Sequence, residues 1–583
     1  MPTLNWIGKD KVVNYHLKVP YHVLERKYSF DEKGQHEEDN GSENMIIHGD
    51  NLLALKSLLP RYEGKIKCIY IDPPYNTGNE GWVYNDNVND PRIKKWLGEV
   101  VGKEGEDLSR HDKWLCMMYP RLRLLQKLLA EDGAIFISID DNEQASLKEI
   151  CDEIFGNNNF IGKISWQRTY SPRSDSKGIS NEVEYILVYA KSSLWIPLKL
   201  PRTAKMNAMY GRKDGDKVMW RSDNPCAPGA ATHQGMVYAI QNPFTGKYLY
   251  PTNGACWRYH QDDMLKIMRE WADYELIDLH DEKERARICG ISETDIKKDV
   301  KGIVIKGSLK EAKISARKRM DQGSWPIYYF SSNGKGGITK KTYLKAENGR
   351  VVTNFWPCSE VGHTDEAKKE IKLIFDGANI FDTPKPTRLI ERIFQITPDK
   401  NAIILDSFAG SGTTAHAVLN QNQKDGGHRK FILIEMMDYA DTITAERVKR
   451  VISGYGDGKK AVPGTGGNFS YYELGQPLMK DGFLNEAVGE KAIRQYVYFM
   501  DTKENRPEEK VEEPYFLGRH LGTAYYFFYK KDESTTLDYK LLSTVKTKAE
   551  SYVMYADSCL LSQDELMNYH ITFKKIPRDI ARL

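Results

Sequence analysis

Five short runs of β-branched and aromatic residues constrain the fold of this chain more than any other feature of its sequence. Such uninterrupted apolar runs are typical of strands buried in a parallel sheet. They are Ile66–Ile71, Ala134–Ile139, Tyr185–Ala190, Ala402–Leu405 and Phe431–Ile434. Leucines at helical spacing lie within 52–59 and 122–129. This alternation of strands and helices predicts a doubly wound α/β fold.

A long stretch separates the third run from the fourth and requires its own explanation. A crossover between parallel strands needs only a dozen or so residues, far fewer than lie between Ala190 and Ala402. The stretch is basic at 313–319, and it contains the tryptophans Trp220, Trp257, Trp271 and Trp325. We therefore expect an inserted domain.

Composition limits the remaining possibilities. The 583 residues exceed the roughly 250–300 at which a single core stops growing, so several domains are expected. A net charge of +3 is too small for its sign to identify a partner. The eight cysteines contain no C-x-x-C pair, so neither a zinc site nor a disulfide scaffold is indicated and no metal is expected. Without a signal-peptide pattern or a membrane-length apolar run, we expect a cytoplasmic protein with no membrane partner.

A glycine-rich turn follows the fourth run. Asp406 ends that run, and Ser407-Phe408-Ala409-Gly410-Ser411-Gly412-Thr413 comes next. A strand, an acidic residue, a glycine turn and a helix start form a nucleotide-binding βα unit, because Gly410 and Gly412 let the backbone approach a ligand closely. Glu435, at the end of the next run, can accept hydrogen bonds from ribose hydroxyls. The sequence pattern Gly-x-Gly-x-x-Ala at 410–415 also matches the dinucleotide-binding fingerprint, so NAD, FAD and other adenosyl cofactors remain possible.

The second chemical motif is Asp72-Pro73-Pro74-Tyr75, directly after the first run. An exocyclic base amine is a poor nucleophile because its lone pair is delocalised into the ring. The Asp72 carboxylate and the Pro73 carbonyl can accept both amine hydrogens and localise that pair, and the two prolines preorganise these acceptors. Tyr75 would stack on a base flipped out of the duplex. A plain turn after a strand is the alternative.

These two motifs resemble those of the amino-group DNA methyltransferases that use S-adenosylmethionine. Their order, with the catalytic half first, then an insert, then the cofactor half, resembles the β class. The likeness extends to 48–50, 111–122, 133–143, 184–191 and 381–390, and together these segments resemble the modification subunit of type III restriction–modification systems.

The resemblance implies a circularly permuted, Rossmann-like methyltransferase fold with an inserted target-recognition domain and a small C-terminal α+β appendage. It implies transfer of a methyl group from S-adenosylmethionine to adenine N6 in double-stranded DNA. Catalysis would rest on Asp72, Pro73, Pro74 and Tyr75. The cofactor would be bound by Asp50, Thr383, Lys385, Asp406, Phe408, Gly410, Gly412, Thr413 and Glu435.

Within that set, the resemblance assigns individual roles. Asp406 and the glycine turn would hold the methionine end, Glu435 the ribose and Asp50 the adenine amine. Thr383 and Lys385 would lie near the cofactor's carboxylate. A helix cap is the alternative for Asp50, and a solvated loop charge for Lys385. His111 and His363 are interpreted as structural, because methyl transfer from a sulfonium needs no strong base.

Three alternatives remain. Cytosine-N4 methylation uses the same chemistry, although relatives acting there usually carry Ser in place of Asp72. An NAD- or FAD-dependent oxidoreductase would explain the glycines but not Asp72 to Tyr75. A catalytically inactive DNA-binding module would not need the acceptor and cofactor residues. Because no P-loop or nuclease signature is present, any DNA cleavage would require a separate restriction subunit.

These inferences divide the chain into six segments. They are an N-terminal extension (1–40), the catalytic half (41–194), the target-recognition domain (195–370), the cofactor half (371–452), a Gly-rich linker (453–468) and a C-terminal domain (469–583). The C-terminal domain contains an aromatic run, 525–529. Aromatic residues are enriched at interface cores, and the resemblance implies a homodimer, although the same rings can fill the domain's own core.

Overall fold

The computed structural model describes residues 3–77, 95, 110–171, 178–211, 214–345, 349–480, 482–504, 506–507, 513–531 and 533–578. The chain forms two compact units. We call Met1–Leu198 together with Val352–Leu583 the sheet unit, and Lys199–Val351 the insert unit.

The sheet unit begins with strands and helices that alternate from residue 45 onwards. Its strands before the insert unit are β1 (His22–Asp31), β2 (Gly34–His36), β3 (Met45–His48), β4 (Ile66–Ile71), β5 (Leu129–Ile139), β6 (Phe160–Gln167) and β7 (Val183–Ala190). The helices are α1 (Lys9–Val12), α2 (Tyr15–Lys18), α3 (Asn51–Tyr62), α4 (Arg110–Leu128) and α5 (Gln144–Phe155).

The insert unit contains short strands and four described helices. The strands are β8 (Trp220–Asp223), β9 (Cys226–Pro228), β10 (Ile240–Gln241), β11 (Tyr248–Leu249), β12 (Ala255–Trp257), β13 (Tyr274–Ile277), β14 (Gly302–Ile305), β15 (Tyr328–Phe330) and β16 (Ile338–Tyr343). The helices are α6 (Ala204–Asn207), α7 (Gln261–Met268), α8 (Glu282–Cys289) and α9 (Leu309–Asp321).

The chain then completes the sheet unit and adds a C-terminal part. The strands are β17 (Phe355–Trp356), β18 (Ile403–Asp406), β19 (Lys430–Glu435), β20 (Gly454–Tyr455), β21 (Val462–Pro463), β22 (Phe469–Pro477), β23 (Met479–Lys480), β24 (Phe483–Leu484), β25 (Phe516–His520), β26 (Thr523–Phe527), β27 (Thr536–Leu537), β28 (Ser551–Ala556), β29 (Ser558–Cys559) and β30 (Ile571–Lys575). The helices are α10 (Cys358–Val361), α11 (Thr364–Ile374), α12 (Thr387–Ile396), α13 (Thr413–Asp425), α14 (Glu446–Ser453), α15 (Glu490–Thr502), α16 (Tyr539–Leu542) and α17 (Gln563–Asn568).

Among the described residues, eleven strands form one sheet in the order β17-β6-β7-β5-β4-β18-β19-β3-β22-β1-β2. Its centre, from β5 to β22, is parallel. From β4 the chain continues to β5 on one side, whereas from β18 it continues to β19 on the other. The boundary between β4 and β18 is therefore a topological switch point, where α/β sheets bind ligands at the carboxyl ends of their strands. The predicted doubly wound fold is confirmed.

The five predicted strands are all present, but the sheet is mixed and not purely parallel. β7, which contains Tyr185–Ala190, pairs antiparallel with both β5 and β6. The expectation of a parallel strand there is wrong. A strand covered on both faces shows the same continuous apolar run in either direction, so its sequence does not reveal its polarity.

The segment boundaries also differ from the predicted ones. The insert unit ends at Val351, because β17 pairs with β6 in the large sheet. Residues 453–468, interpreted as a linker, include the β20–β21 hairpin. β22 and the N-terminal β1 pair along the sheet, so both chain ends contribute to it. No described helix is both long and apolar enough to cross a membrane.

The aromatic run of the C-terminal part is buried within the chain. Tyr525, Phe527 and Tyr529 belong to one apolar cluster, and Tyr526 and Phe528 to another on the opposite face. This alternation is that of a strand, β26, with both faces covered. These rings fill the domain's own core, which removes one of the two arguments for a dimer.

The insert unit has its own aromatic core, which includes Trp220, Trp257 and Trp271. Its two ends meet in an antiparallel bridge, where Leu200 and Arg350 exchange backbone hydrogen bonds of 2.9 and 2.8 Å. A separate core and adjacent ends are the features expected of an inserted domain.

Candidate active site

The switch point brings together two motifs that lie more than 300 residues apart in the chain. Leu405 of β18 pairs with Ile69 of β4, so Asp406 and Asp72 leave the same edge of the sheet. A cleft opens there. Its lining includes Asp72, Thr383, Lys385, Asp406, Phe408, Gly410 and Thr413. Seven of the sequence-predicted site residues therefore share one cavity.

Asp72 forms an ion pair with Lys385 inside this cleft. Lys385 Nζ lies 2.7 Å from both carboxylate oxygens of Asp72 and 3.7 Å from Glu184 Oε2. Burial by itself lowers the pKa of Lys385, but the two carboxylates outweigh it and the pKa is raised. Burial likewise raises the pKa of Asp72, and Lys385 opposes that rise. The ammonium therefore stays charged and fixes the orientation of the carboxylate.

The rest of the Asp72–Tyr75 turn is held by hydrogen bonds. Trp114, buried in α4, donates its indole N–H to Pro74 O at 2.7 Å. The Tyr75 hydroxyl donates to Glu184 Oε2 at 3.1 Å. Lys385 Nζ lies 4.9 Å from the centre of the Tyr75 ring. The turn is thus preorganised by contacts from three other segments, which a plain surface turn would not have.

His111 and His363, the two histidines discussed in the sequence analysis, both form hydrogen bonds within the protein. His111 Nδ1 lies 2.7 Å from Glu143 Oε1, which also accepts from Asn76 at 2.5 Å. His363 Nδ1 accepts the Glu366 N–H and caps α11. These partners suit the structural interpretation.

The glycine turn packs closely against the backbone of Thr444. Gly412 has a φ of 78°, and a Cβ built there would lie 2.9 Å from Thr444 O. Asp406 accepts from the Phe408 N–H at 3.0 Å and from the Thr414 hydroxyl at 2.5 Å. An alanine at 412 would meet both backbone strain and a clash, so only glycine fits.

Two buried carboxyls flank this turn. Asp406 and Glu435 are 2% and 3% exposed. Burial raises the pKa of each to about 7, although backbone N–H groups, including that of Gly410 on Glu435, oppose the rise. Buried carboxyls with a raised pKa favour a ligand that brings positive charge or hydroxyl donors.

Asp50 does what the alternative interpretation proposed for it: its carboxylate caps α3 by accepting the N–H groups of Leu52 and Leu53. It lies after β3, at the same edge of the sheet as Glu435, since Glu435 pairs with His48. Arg121 NH2 lies 3.7 Å from its second oxygen. It does not line the cleft with Asp72, so a role toward the adenine end stays a prediction.

Sequence reasoning missed Arg447. This fully buried side chain donates to the hydroxyls of Ser411 (3.0 Å) and Thr413 (2.7 Å), and it lies 3.1 Å from Glu370. It therefore joins α14 to the glycine turn. The only local signal is an arginine in an amphipathic helix that also contains Lys449 and Arg450, and such residues are usually solvated. Glu184 was missed as well, because it directly precedes the apolar run Tyr185–Ala190 and resembles its polar boundary.

Comparison with known proteins gives the family. Residues 66–446 match the model of the DNA methylase family N6_N4_Mtase. The chain belongs to this DNA methylase family. The match starts at β4 and ends in α14, so it covers both motifs of the cleft, Glu435 and the insert unit.

Individual relatives within the family are similar over most of this chain. The Mod subunit of the type III restriction-modification enzyme StyLTI of Salmonella typhimurium is 32% identical over 71% of this chain and 58% of its own length. The EcoPI Mod subunit of Escherichia phage P1 is 32% identical over 74% and 63%. The type II methyltransferase M.KpnI of Klebsiella pneumoniae is 32% identical over 68% and 81%. The chain spans about three fifths of the two Mod subunits.

Proposed function

We propose that this DNA methylase transfers a methyl group from S-adenosylmethionine to adenine N6 in double-stranded DNA. The observation that carries the proposal is the cleft at the switch point, which both Asp72 and Gly410 line. A hydrogen-bond acceptor for an amine and a nucleotide-type turn therefore share one cavity, and the Tyr75 ring lies beside Lys385 of the same cavity. The aspartate favours adenine over cytosine N4.

The cleft residues fit S-adenosylmethionine by their chemistry. The ligand carries a sulfonium and an ammonium, and Asp406 is a buried carboxyl whose raised pKa a cation would lower. Glu435 would accept from the ribose hydroxyls, and Thr383 would lie near the methionine carboxylate. When bound, the cofactor supplies an electrophilic methyl group.

The chain's own residues would act on the base. Asp72 and the Pro73 carbonyl would accept hydrogen bonds from the two amine hydrogens, which makes the nitrogen lone pair available for attack on the methyl carbon. As the nitrogen–carbon bond forms, the carbon–sulfur bond would break with S-adenosylhomocysteine as the leaving group, and the surplus amine proton would pass to the Asp72 carboxylate. Tyr75 would hold the flipped adenine by stacking, with its hydroxyl fixed by Glu184. Lys385 would keep Asp72 ionised and aligned, because its ammonium reaches both carboxylate oxygens. No described group needs to act as a strong base.

Sequencing of methylated DNA provides the test. DNA from cells expressing the wild-type chain should carry N6-methyladenine in one sequence motif, and DNA from cells expressing Asp72→Ala should not. Methylation at cytosine N4 instead would replace adenine as the target base and leave the proposed cofactor and catalytic residues unchanged. An unmodified genome, together with no thermal shift by S-adenosylhomocysteine in the purified protein, would overturn the proposal.

We further propose that the chain works as a homodimeric modification subunit beside a separate restriction subunit. The similarity to Mod subunits over most of this chain supports this. Mixing Asp72→Ala with a recognition-defective copy should restore methylation that neither has alone. A single 66.9 kDa species in light scattering, with and without DNA, and no complementation would argue for a monomer.

A further inference from the structure

Positive charge is concentrated in one part of the insert unit. Lys199–Val351 contains 28 Lys and Arg against 18 Asp and Glu, whereas the rest of the chain contains 56 against 63. The near-neutral total hides a net charge of +10 in the insert unit and −7 elsewhere. Within the insert unit, residues 297–345 hold 13 basic and three acidic residues. Such a segment attracts an anionic partner.

Helix α9 presents much of this charge on one face. Ser308 and Glu311 form a capping box at its start, and Ala312, Ala316 and Met320 point into the core. Lys310, Lys313 and Lys318 are exposed. Residues 310, 313 and 317 follow helical spacing, so Lys310, Lys313 and Arg317 share one face.

A loop next to α9 extends this face. Arg317 donates to Asn333 Oδ1 at 2.6 Å and lies 5.3 Å from the ring of Phe244. That ring also packs so closely on Gly334 that a Cβ there would lie 2.5 Å from it. Residues Ser331–Gly337 are thereby fixed against the helix, and they carry the exposed Asn333 and Lys335.

The loop keeps an unusual backbone. Ser332 and Asn333 have φ values of 51° and 53°, in the left-handed region that non-glycine residues rarely adopt. The buried Asn242 donates its amide to Gly334 O (3.0 Å) and Gly336 O (3.2 Å) and holds the loop from below. Strain that the surroundings maintain in this way is typical of functional loops.

We propose that α9 and the loop Ser331–Gly337 form the surface with which the insert unit reads duplex DNA, and we call it the α9 surface. Lys310, Lys313 and Lys318 contact phosphates, while Arg317 and Asn333 contact base edges. An α-helix fits the major groove, and Arg and Asn have the donor and acceptor geometry for guanine and adenine respectively. The inference rests on the proposed function and specifies which residues select the sequence.

The phosphate contacts are tested by the salt dependence of binding. The variant Lys310→Gln/Lys313→Gln is compared with Lys266→Gln/Lys283→Gln, which removes equal charge from other helices of the insert unit. The probe is a labelled 30-bp duplex containing the motif that the wild type methylates or, if it methylates none, a 30-bp plasmid duplex. Because each lost phosphate contact lowers the slope of log K against log salt by about 0.9, the first variant should lose about 2 and the control nothing.

The base contacts are tested by two variants that preserve backbone and charge. Asn333→Gly suits the positive φ and removes only the amide, whereas Arg317→Lys keeps the charge and loses the planar fork. Each should reduce discrimination at one position of the methylated motif, by roughly 5- to 100-fold. The readout is the frequency of methylation at near-cognate sites by sequencing, normalised to the cognate site.

These outcomes separate the surface from the proposed function. Suppose that the wild type methylates DNA. An unchanged salt slope in the double lysine variant, or an unchanged motif in both base variants, would then overturn the proposal for the α9 surface and leave the proposed methylase function intact. A wild type that binds duplex but methylates none would refute only the proposed function, since the salt slopes still test the surface. Unchanged melting temperatures and an unchanged S-adenosylhomocysteine shift establish that every variant is folded.

Discussion

The cleft of the sheet unit and the α9 surface of the insert unit use charge in opposite ways. In the sheet unit, Asp406 of the cleft and Glu435 beside the glycine turn are almost fully buried and already hydrogen-bonded to backbone groups. On the α9 surface, Lys310 and Lys313 are exposed. A transition state needs preorganised groups in a dry site, whereas phosphates are bound by hydrated charges that release counterions on contact. A substitution in the cleft should therefore change the rate of methyl transfer, whereas one on the α9 surface should change sequence selection or salt dependence.

The largest effect is expected from Asp72→Ala, which removes the amine acceptor of the cleft. Methyl transfer in single turnover should fall by roughly 10²–10³ or more, because one preorganised group is lost. S-adenosylhomocysteine binding should be nearly unchanged. Asp72→Asn, which keeps the shape, and Asp132→Ala on the surface serve as controls. Retention of half of the wild-type rate would remove Asp72 from the mechanism.

A smaller effect on rate is expected at Tyr75. The ring would serve in stacking, whereas the hydroxyl bonds Glu184 and also Asp72. Because stacking on an aromatic ring contributes about 1–3 kcal/mol, Tyr75→Ala should lower kcat/KM for DNA by roughly 5- to 150-fold. Tyr75→Phe should lower it by only a few-fold. Equal losses would show that the phenol itself is needed.

The pH dependence of cofactor binding distinguishes the buried cleft from the exposed surface. The pKa of Asp406 and of Glu435 is raised to about 7, so the free folded protein holds protons that the unfolded chain loses near its ordinary values of 3.8 and 4.5. Their contribution to the free energy of unfolding therefore falls as pH rises from about 4 to 7. A bound cation stabilises the ionised carboxylates, so its binding should strengthen as these groups lose their protons. S-adenosylmethionine should therefore bind about ten-fold more tightly at pH 8 than at pH 6. Calorimetry on the wild type and Asp406→Asn checks this, since the variant should bind weakly with a flatter profile.

The smallest effect on chemistry is expected from exchanging the insert unit. Replacing Lys199–Val351 by the matching segment of a relative should change the methylated motif, because we propose that this unit reads the DNA. The single-turnover rate on the new motif should stay within a few-fold of the wild type. Sequencing and rapid-quench kinetics on the chimera measure both. A chimera that keeps the original motif would place recognition in the sheet unit.

The sequence predicted those parts of the fold that depend on local pattern. β4, β18 and β19 are buried on both faces, and each was therefore predicted from its uninterrupted apolar run. β1 alternates with polar residues, and β3 is only four residues long, so neither stands out from its surroundings. Strand polarity at β7 was also hidden, because direction is set by the path of the chain and not by side-chain type.

The candidate site divides in the same way. Asp72 and Asp406 were found because each follows an apolar run and begins a recognisable turn. The Asp72–Lys385 ion pair and the Arg447 contacts join segments far apart in sequence, and no spacing rule connects them. Lys385 was expected near the cofactor's carboxylate, which stays a prediction, and its ion pair with Asp72 in the same cleft was not foreseen. Only the sheet order brings these groups together.

The bridge between Leu200 and Arg350 also bears on how the chain is made. Asp72 and Asp406 are 334 residues apart, so a ribosome working at about 5–20 residues per second emits them roughly 20–70 seconds apart. During that interval β4 lacks its neighbour β18, and the nascent sheet exposes an unpaired edge. The insert unit can close on itself in the meantime, because its own ends are bonded to each other. The insert unit ends 55 residues before Asp406, so at this rate synthesis completes the proposed DNA-reading module roughly 3–11 seconds before Asp406 is added.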